Sequence, residues 1–184
     1  MMKVKKMLSA IVVGVLLVAN VIPVSAAEKP TVKAGSLEEV NIGQYAQYIM
    51  DAEQQEPVVQ PKAPAPALTS FKLYAIYSEK AGEEIISQSS SFMQVGSTLD
   101  HGGTWFQAIT VEVGYAKTRF AYFNNIQMTL TDIAPLDFDN DSIVDGYLCL
   151  WTYEGSEYEA GTFTANSTSA NSPWNTMSLR FNVY

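Results

Sequence analysis

Short apolar runs with a period of two fill residues 70–184, and this pattern most constrains the fold. Phe71 to Ser78 alternates aromatic and aliphatic residues, while Tyr147 to Tyr153 is apolar on both sides, as in a central strand. Gly, Asn, Ser and Pro separate the runs, and no strong helical pattern competes with them. We therefore predict an all-β fold, an antiparallel β-sandwich of about seven strands. The other runs are Trp105 to Tyr115, Arg119 to Thr131 with a kink expected at Asn124-Asn125, Gly161 to Ala165, and Met177 to Val183.

The first segment has the layout of a secretory signal peptide, which we predict to span residues 1–26. Lys3, Lys5 and Lys6 form a positive region, an apolar run follows, and Val24-Ser25-Ala26 offers small residues for cleavage. The run is short for a membrane span of about 20 residues. The sequence therefore predicts a secreted, extracellular protein that has no membrane association after cleavage.

Charge and cysteine usage exclude several classes of function. The net charge is −8, and removal of the three signal-peptide lysines changes it to −11. This acidic balance argues against nucleic acid as a partner. The single cysteine, Cys149, excludes an intramolecular disulfide and a Cys-rich zinc site. Because Cys149 lies within an apolar run, we predict a buried thiol rather than a nucleophile.

Residues 27–69 form a leader that differs from the domain at 70–184. Ser36 to Glu39 has the pattern of a capping box, and apolar residues at helical spacing then predict a short amphipathic helix near 37–54. The helix could dock on the domain or engage a separate partner. A Pro-rich linker follows, with prolines at Pro57, Pro61, Pro64 and Pro66.

The acidic stretch from Asp137 to Gly146 is the strongest candidate site. Its oxygen donors follow the order of an EF-hand-like calcium loop, with acids at positions 1, 3, 5 and 9 and a backbone carbonyl at position 7. Ser142 replaces the usual glycine at position 6, and Leu148 stands where a bidentate glutamate would close the loop. A solvated acidic turn is the alternative interpretation. The predicted calcium ligands are Asp137, Asp139, Asp141, Ile143 and Asp145, with Glu154, Glu157 or Glu159 as a further donor.

His101 is the only histidine, and it lies in the stretch Leu99 to Trp105 beside Asp100. A hydrolase would need a nucleophile next to His101 and an orienting acid beyond it. Asp100 and His101 are therefore the candidate catalytic residues. The alternative is a turn that holds a hydrogen-bonded histidine at the start of a strand.

Trp174 lies in the polar stretch Asn171 to Thr176. A tryptophan flanked by asparagine could stack on a sugar ring while Asn175 hydrogen-bonds the hydroxyl groups, so both are candidate ligand-binding residues. The alternative is a tryptophan that folds back to close one end of the sandwich.

Several motifs of the domain together resemble a family of small secreted proteins of Gram-positive, spore-forming bacteria, the YolA-type domain. They are Asp100-His101-Gly102-Gly103, Glu112-Val113-Gly114-Tyr115, Ile143-Val144-Asp145-Gly146-Tyr147, Gly161-Thr162-Phe163-Thr164 and Ser172-Pro173-Trp174-Asn175-Thr176-Met177. The resemblance covers residues 70–184 and implies secretion and a compact domain. It implies no catalytic residues.

Three functions agree with these patterns. The first is a secreted, non-enzymatic β-sandwich that binds an extracellular carbohydrate or cell-surface protein. One form of this hypothesis adds stabilisation of the sandwich by calcium. The second is a small secreted hydrolase that uses His101. The third is a secreted interaction or antagonism factor that acts through its leader helix.

Overall fold

The computed structural model describes residues 33–34, 37, 66–86 and 94–184. Strands within these ranges pair into two antiparallel sheets. The strands are β1 (Ser70–Ser78), β2 (Gly82–Ile85), β3 (Gly103–Val113), β4 (Ala116–Phe123), β5 (Ile126–Gln127), β6 (Thr129–Leu136), β7 (Gly146–Tyr158), β8 (Gly161–Ser169) and β9 (Thr176–Val183). The five-stranded sheet has the order β2-β1-β3-β7-β6, and the four-stranded sheet has the order β5-β4-β8-β9.

The all-β class is confirmed, but the expected number of about seven strands is wrong, since the described residues form nine. Asn124 and Asn125 adopt left-handed φ angles of 50° and 64° and turn the chain, so the run from Arg119 is divided among β4, β5 and β6. β2 is short and carries two glutamates, so its sequence lacks the hydrophobic alternation that would have predicted a strand. β6 contains Pro135, which an edge strand tolerates because one of its sides forms no ladder bonds.

The core lies between the two sheets, in a sandwich-like arrangement. Phe106 of β3 stacks on Phe123 of β4 with ring centres 4.4 Å apart, and Phe163 of β8 lies 6.0 Å from Phe106. Cys149 is buried in the same core, as predicted. Burial raises the pKa of its thiol to about 12, and the nearby Glu112 carboxylate acts in the same direction. A thiol with so high a pKa is a packing group rather than a nucleophile.

Loops at one end of the sandwich are joined by backbone hydrogen bonds, and we call this the linker end because Pro66 enters there. The Tyr115 N–H donates to Pro66 O, and the Gly114 N–H donates to Asp145 O. The Ala170 N–H donates to Tyr115 O. Gly114 has a φ of +89°, and a Cβ there would lie 2.1 Å from the Ala67 carbonyl oxygen. Only glycine lets the linker approach this turn so closely.

The predicted signal peptide at 1–26 lies outside the described residues, as does most of the predicted helix at 37–54. Within the described part of the chain, no helix is long and apolar enough to cross a membrane.

Candidate functional site

The acidic loop between β6 and β7 brings three carboxylates together at the linker end. One oxygen each from Asp137, Asp139 and Asp145 lies within 4.8 Å of the others. Asp137 and Asp139 are exposed, whereas Asp145 is partly buried. Three converging carboxylate oxygens are hard donors of the kind that calcium and magnesium prefer.

Backbone groups of the loop already bind its carboxylates in the manner of an EF-hand-like turn. The Ser142 N–H donates to Asp137 Oδ2 at 2.8 Å, and the Asp141 N–H donates to Asp139 Oδ1 at 3.1 Å. Ser142 has a φ of 68°, which is the left-handed conformation that glycine favours at position 6 of such loops. The serine therefore adopts the backbone shape of the glycine that it replaces.

Two predicted parts of the ligand set do not join this cluster. Asp141 Oδ1 accepts from the Ile143 N–H, and its side chain is not one of the three that converge. Glu154 follows Gly146 along β7 by eight residues, which places its backbone roughly 26 Å from the loop at ~3.3 Å per residue. Glu157 and Glu159 lie further along the chain. The proposed contribution of these glutamates is therefore wrong, and Leu148 at position 12 is buried in the core.

The surroundings of the Asp145 carboxyl shift its titration. Burial raises its pKa, and repulsion from Asp139, Asp141 and Asp137 raises it further, although the Phe138 N–H donates to Asp145 Oδ2 at 2.7 Å. The ionised loop is thus electrostatically strained without a cation.

Trp174 lies in the loop between β8 and β9, also at the linker end, and its side chain is 66% exposed. Its backbone has a φ of 53°, which is unusual for a bulky residue. The Trp174 N–H donates to Asn171 O at 2.7 Å, which closes the turn. The indole therefore projects into solvent and does not close the end of the sandwich.

Asn175 braces this loop instead of facing solvent. Its Nδ2 donates to Leu68 O at 3.1 Å, and its backbone carbonyl accepts from the Ser169 N–H. The Asn175 Oδ1 is buried and has no hydrogen-bond partner among the residues that the structure describes. Asn175 thus ties the Trp174 loop to the linker where the linker enters the domain.

His101 lies at the opposite end of the sandwich, within a network of polar groups. Its Nδ1 is 2.8 Å from Ser78 Oγ, and its Nε2 is 3.0 Å from Glu84 Oε2. His101 and Ser78 are completely buried, and Glu84 is nearly so. Glu84 also accepts hydrogen bonds from the Thr98 and Leu99 N–H groups and from Gln94 Nε2.

The pKa shifts define where the protons lie in this network. Burial works to raise the pKa of Glu84, but the hydrogen bonds that it accepts from Thr98, Leu99, His101 and Gln94 outweigh burial and hold the pKa below its usual range. Burial lowers the pKa of His101 in spite of Glu84. A neutral His101 therefore donates from Nε2 to the Glu84 carboxylate, and Ser78 donates its hydroxyl proton to Nδ1.

This order of hydrogen bonds is that of a serine, histidine and acid triad with the two ring nitrogens exchanged. Acyl transfer needs a serine oxygen that a substrate carbonyl can approach, but Ser78 has no exposed surface and its Oγ also accepts from the Ala81 N–H. Asp100, the predicted acid partner, forms an exposed ion pair with Lys80 instead. The network is thus arranged as a structural clamp.

A second buried polar centre connects the two sheets. The Arg119 Nε donates to Glu112 Oε1 at 2.7 Å, and Ser167 Oγ donates to Glu112 Oε2 at 2.8 Å. The Arg119 guanidinium also lies 5.2 Å from the centre of the Tyr147 ring. Glu112 is only 1% exposed, so all of its lone pairs must be satisfied from within the protein.

Sequence reasoning missed Ser78 and Glu84 as partners of His101, although their positions carry a signal. Ser78 follows Ile76 on the inward face of β1. Glu84 lies two residues before the buried Ile86 and is buried like it. Polar residues at inward positions of period-two runs need buried partners. The only imidazole of the chain is a natural candidate for such a partner.

The described residues also line two cavities. One of about 320 Å³ lies beside β5, β6 and β7 and is lined by Thr129, Thr131 and Thr152 among others. The other, about 280 Å³, lies between β1 and β9 and includes Phe71, Gln94 and Phe181 in its lining.

Two antiparallel sheets with sealed polar centres and exposed loops at the linker end define a sandwich-like, all-β domain. Residues 63–183 match the family model described as a Domain of unknown function (DUF4879), and the chain belongs to that family. No curated protein and no solved structure matches the chain.

Proposed function

We propose that the chain is a secreted, non-enzymatic binding protein that recognises an extracellular ligand, with carbohydrate as the leading class, through its linker end. The signal-peptide pattern at residues 1–26 supports export. The burial of Ser78 and His101 supports a role without catalysis. The loops that carry Trp174 and the acidic cluster are connected through the Gly114-Tyr115 turn, so a ligand at this end can be held by a preformed surface.

The single observation that carries this proposal is the state of Trp174. A tryptophan with 66% of its surface exposed forgoes the free energy of burial, and its left-handed backbone adds roughly 1 kcal/mol of strain. Outliers of this kind are commonly retained for binding rather than for folding. An exposed indole offers an apolar face on which a sugar ring can stack.

We further propose that the acidic loop binds calcium and so stiffens the linker end. Asp137, Asp139 and Asp145 would supply carboxylate oxygens, and Ile143 would supply its backbone carbonyl. Burial and then repulsion from the neighbouring aspartates raise the pKa of Asp145, and this supports the proposal because a cation relieves the repulsion. The role of the ion is to order the loop before β7.

The test uses soluble peptidoglycan fragments and plant cell-wall oligosaccharides as probes. We expect one class to bind the mature protein in isothermal titration calorimetry and to shift its indole fluorescence, and we expect Trp174→Gly to abolish the heat of binding. Because glycine adopts a positive φ without strain, Trp174→Gly should keep or raise the melting temperature. Trp105→Phe, which changes a tryptophan in the sheet, is the control and should still bind. The proposal fails if Trp174→Gly binds every probe as the unaltered protein does.

The hydrogen-bonded order of Ser78, His101 and Glu84 favours one second candidate, a small secreted hydrolase. A fluorophosphonate probe distinguishes the two functions, since it labels only a serine that is both activated and accessible. We expect no labelling of the folded protein. Labelling that Ser78→Ala abolishes would establish the hydrolase instead.

A further inference from the structure

The outer face of the five-stranded sheet is apolar and buried, although it points away from the second sheet. A sheet in a two-layer sandwich usually buries one face and exposes a polar one, which produces a clear alternation along each strand. Here β3 and β7 carry apolar residues on both faces, and the outward set is nearly inaccessible to solvent. Its members are Tyr74, Tyr77, Trp105, Ile109, Val111, Val113, Leu148 and Leu150.

Leader residues lie directly on this outer face. Leu37 is 3% exposed and belongs to the same apolar cluster, and Ala34 packs against it. Burial of one leucine favours association by an amount that corresponds to about tenfold or more in affinity. Leu37 therefore acts as an apolar anchor for the leader.

The backbone of Ala34 is held by a side chain of the sheet. Gln107 interrupts the apolar row of β3 between Trp105 and Ile109. Its Oε1 accepts from the Ala34 N–H at 3.0 Å, and its Nε2 lies 3.4 Å from Ala34 O and 3.0 Å from Thr152 Oγ1. An amide that binds both backbone groups of one residue mimics the pairing of a neighbouring strand.

Two carboxylates at the edge of the cluster complete the contact. The Leu37 N–H donates to Asp132 Oδ2 at 2.9 Å. The Lys33 ammonium lies 2.5 Å from Glu154 Oε1 and 5.3 Å from the centre of the Trp105 ring. These contacts come from β3, β6 and β7, so the leader is fixed in one register across several strands.

We propose that the outer face of the five-stranded sheet is a docking surface for the chain's own leader, with residues 33–54 as the occupant. Ala34 and Leu37 begin the contact, and the helical spacing of Val40, Tyr45, Tyr48, Ile49 and Ala52 supplies a further apolar stripe of the kind that such a face accepts. The leader is thus a third layer of the molecule. The Pro-rich linker holds it close to the sheet at a high effective concentration.

The experiment cuts the linker of the folded mature protein and asks whether the leader stays bound. A specific protease site is inserted between Gln60 and Pro61, and the cleaved protein is analysed by size-exclusion chromatography. We expect the leader fragment to elute with the domain. Leu37→Asp in the leader should weaken retention by about tenfold or more, and Gln107→Ala in the sheet should weaken it independently.

Lys117→Ala, on an exposed position of β4 in the other sheet, is the matched control and should retain the leader. Loss of the leader from the cleaved, unaltered protein at micromolar concentration would overturn the proposal. Unchanged retention in both Leu37→Asp and Gln107→Ala would also overturn it. A dimer of the uncleaved protein that Leu37→Asp converts to a monomer would assign the face to the leader of a second copy and so overturn docking within one chain.

Discussion

The Nδ1 atom of His101 lies 2.8 Å from the Oγ atom of Ser78, and both side chains are completely buried. On its other side His101 contacts Glu84, which in turn accepts from the backbone at Thr98 and Leu99. The His101 N–H donates to the carbonyl of the last residue, Tyr184. His101 therefore joins β1 and β2 through its imidazole and contacts Tyr184 through its backbone.

Replacement of His101 should destabilise the protein strongly. His101→Ala leaves a cavity and deprives the buried Glu84 carboxylate of a donor, so we expect the free energy of unfolding to fall by about 3–5 kcal/mol. Ser78→Ala removes the hydrogen bonds of Ser78 Oγ to His101 and to the Ala81 N–H and should reduce it by about 1–3 kcal/mol. Urea unfolding measures both values. Lys80→Ala, which breaks an exposed ion pair, should have no measurable effect, and a similar loss in Lys80→Ala and His101→Ala would contradict the clamp.

The same network should make the protein sensitive to acid. The pKa of His101 lies below its ordinary value of 6.5, so the unfolded chain takes up this proton first as the pH falls. Stability should therefore be constant above pH 6.5 and decrease below it. Glu84, with a pKa held below 4.5, should add a second loss when the pH falls below that value.

Urea unfolding between pH 8 and pH 5 is the measurement, and His101→Gln is the control. Because His101 is the only histidine of the chain, His101→Gln should be less stable throughout this range but independent of pH where the imidazole titrates. A decline of the same slope in His101→Gln would assign the effect to other groups.

Periodicity predicted the sheets well but placed the polar residues poorly. The strand character of β3 follows from its apolar run, whereas the polar neighbours of Trp174 left open whether it is exposed or closes one end of the sandwich. Adjacency in sequence suggested Asp100 as the partner of His101, yet β2 brings Glu84 there from a distance of 17 residues. Such pairings depend on which strands are neighbours, and a period-two pattern contains no information about strand order.

Removal of one charge from the acidic loop should stabilise the protein in the absence of calcium and should weaken the stabilisation that calcium provides. Because the ionised Asp145 is destabilised by burial and by repulsion from its neighbours, Asp145→Asn should raise the melting temperature in a chelating buffer. Added calcium should stabilise the unaltered protein by about 2.7 kcal/mol at a concentration of ~100 Kd and should stabilise Asp145→Asn far less. Thermal unfolding with and without calcium tests both statements.

Asp100→Asn provides the matched control, because it removes one exposed carboxylate outside the loop. It should keep the full calcium response. The gain from calcium should also decrease as the pH is lowered, since protons compete for the loop carboxylates. If calcium leaves the melting temperature of the unaltered protein unchanged, the metal site is excluded.

Removal of one partner of the buried Glu112 and Arg119 pair should lower the free energy of unfolding strongly, whereas replacement of both partners should lower it much less. Arg119→Met leaves the Glu112 carboxylate without its cation, so we expect a loss of about 3–5 kcal/mol in the free energy of unfolding. Glu112→Gln combined with Arg119→Met removes both charges and leaves an amide oxygen for Ser167, so most of that loss should be recovered. Urea unfolding of both variants measures how much of the loss is recovered. A double variant that is no more stable than Arg119→Met would show that packing, and not the unpaired charge, dominates at this centre.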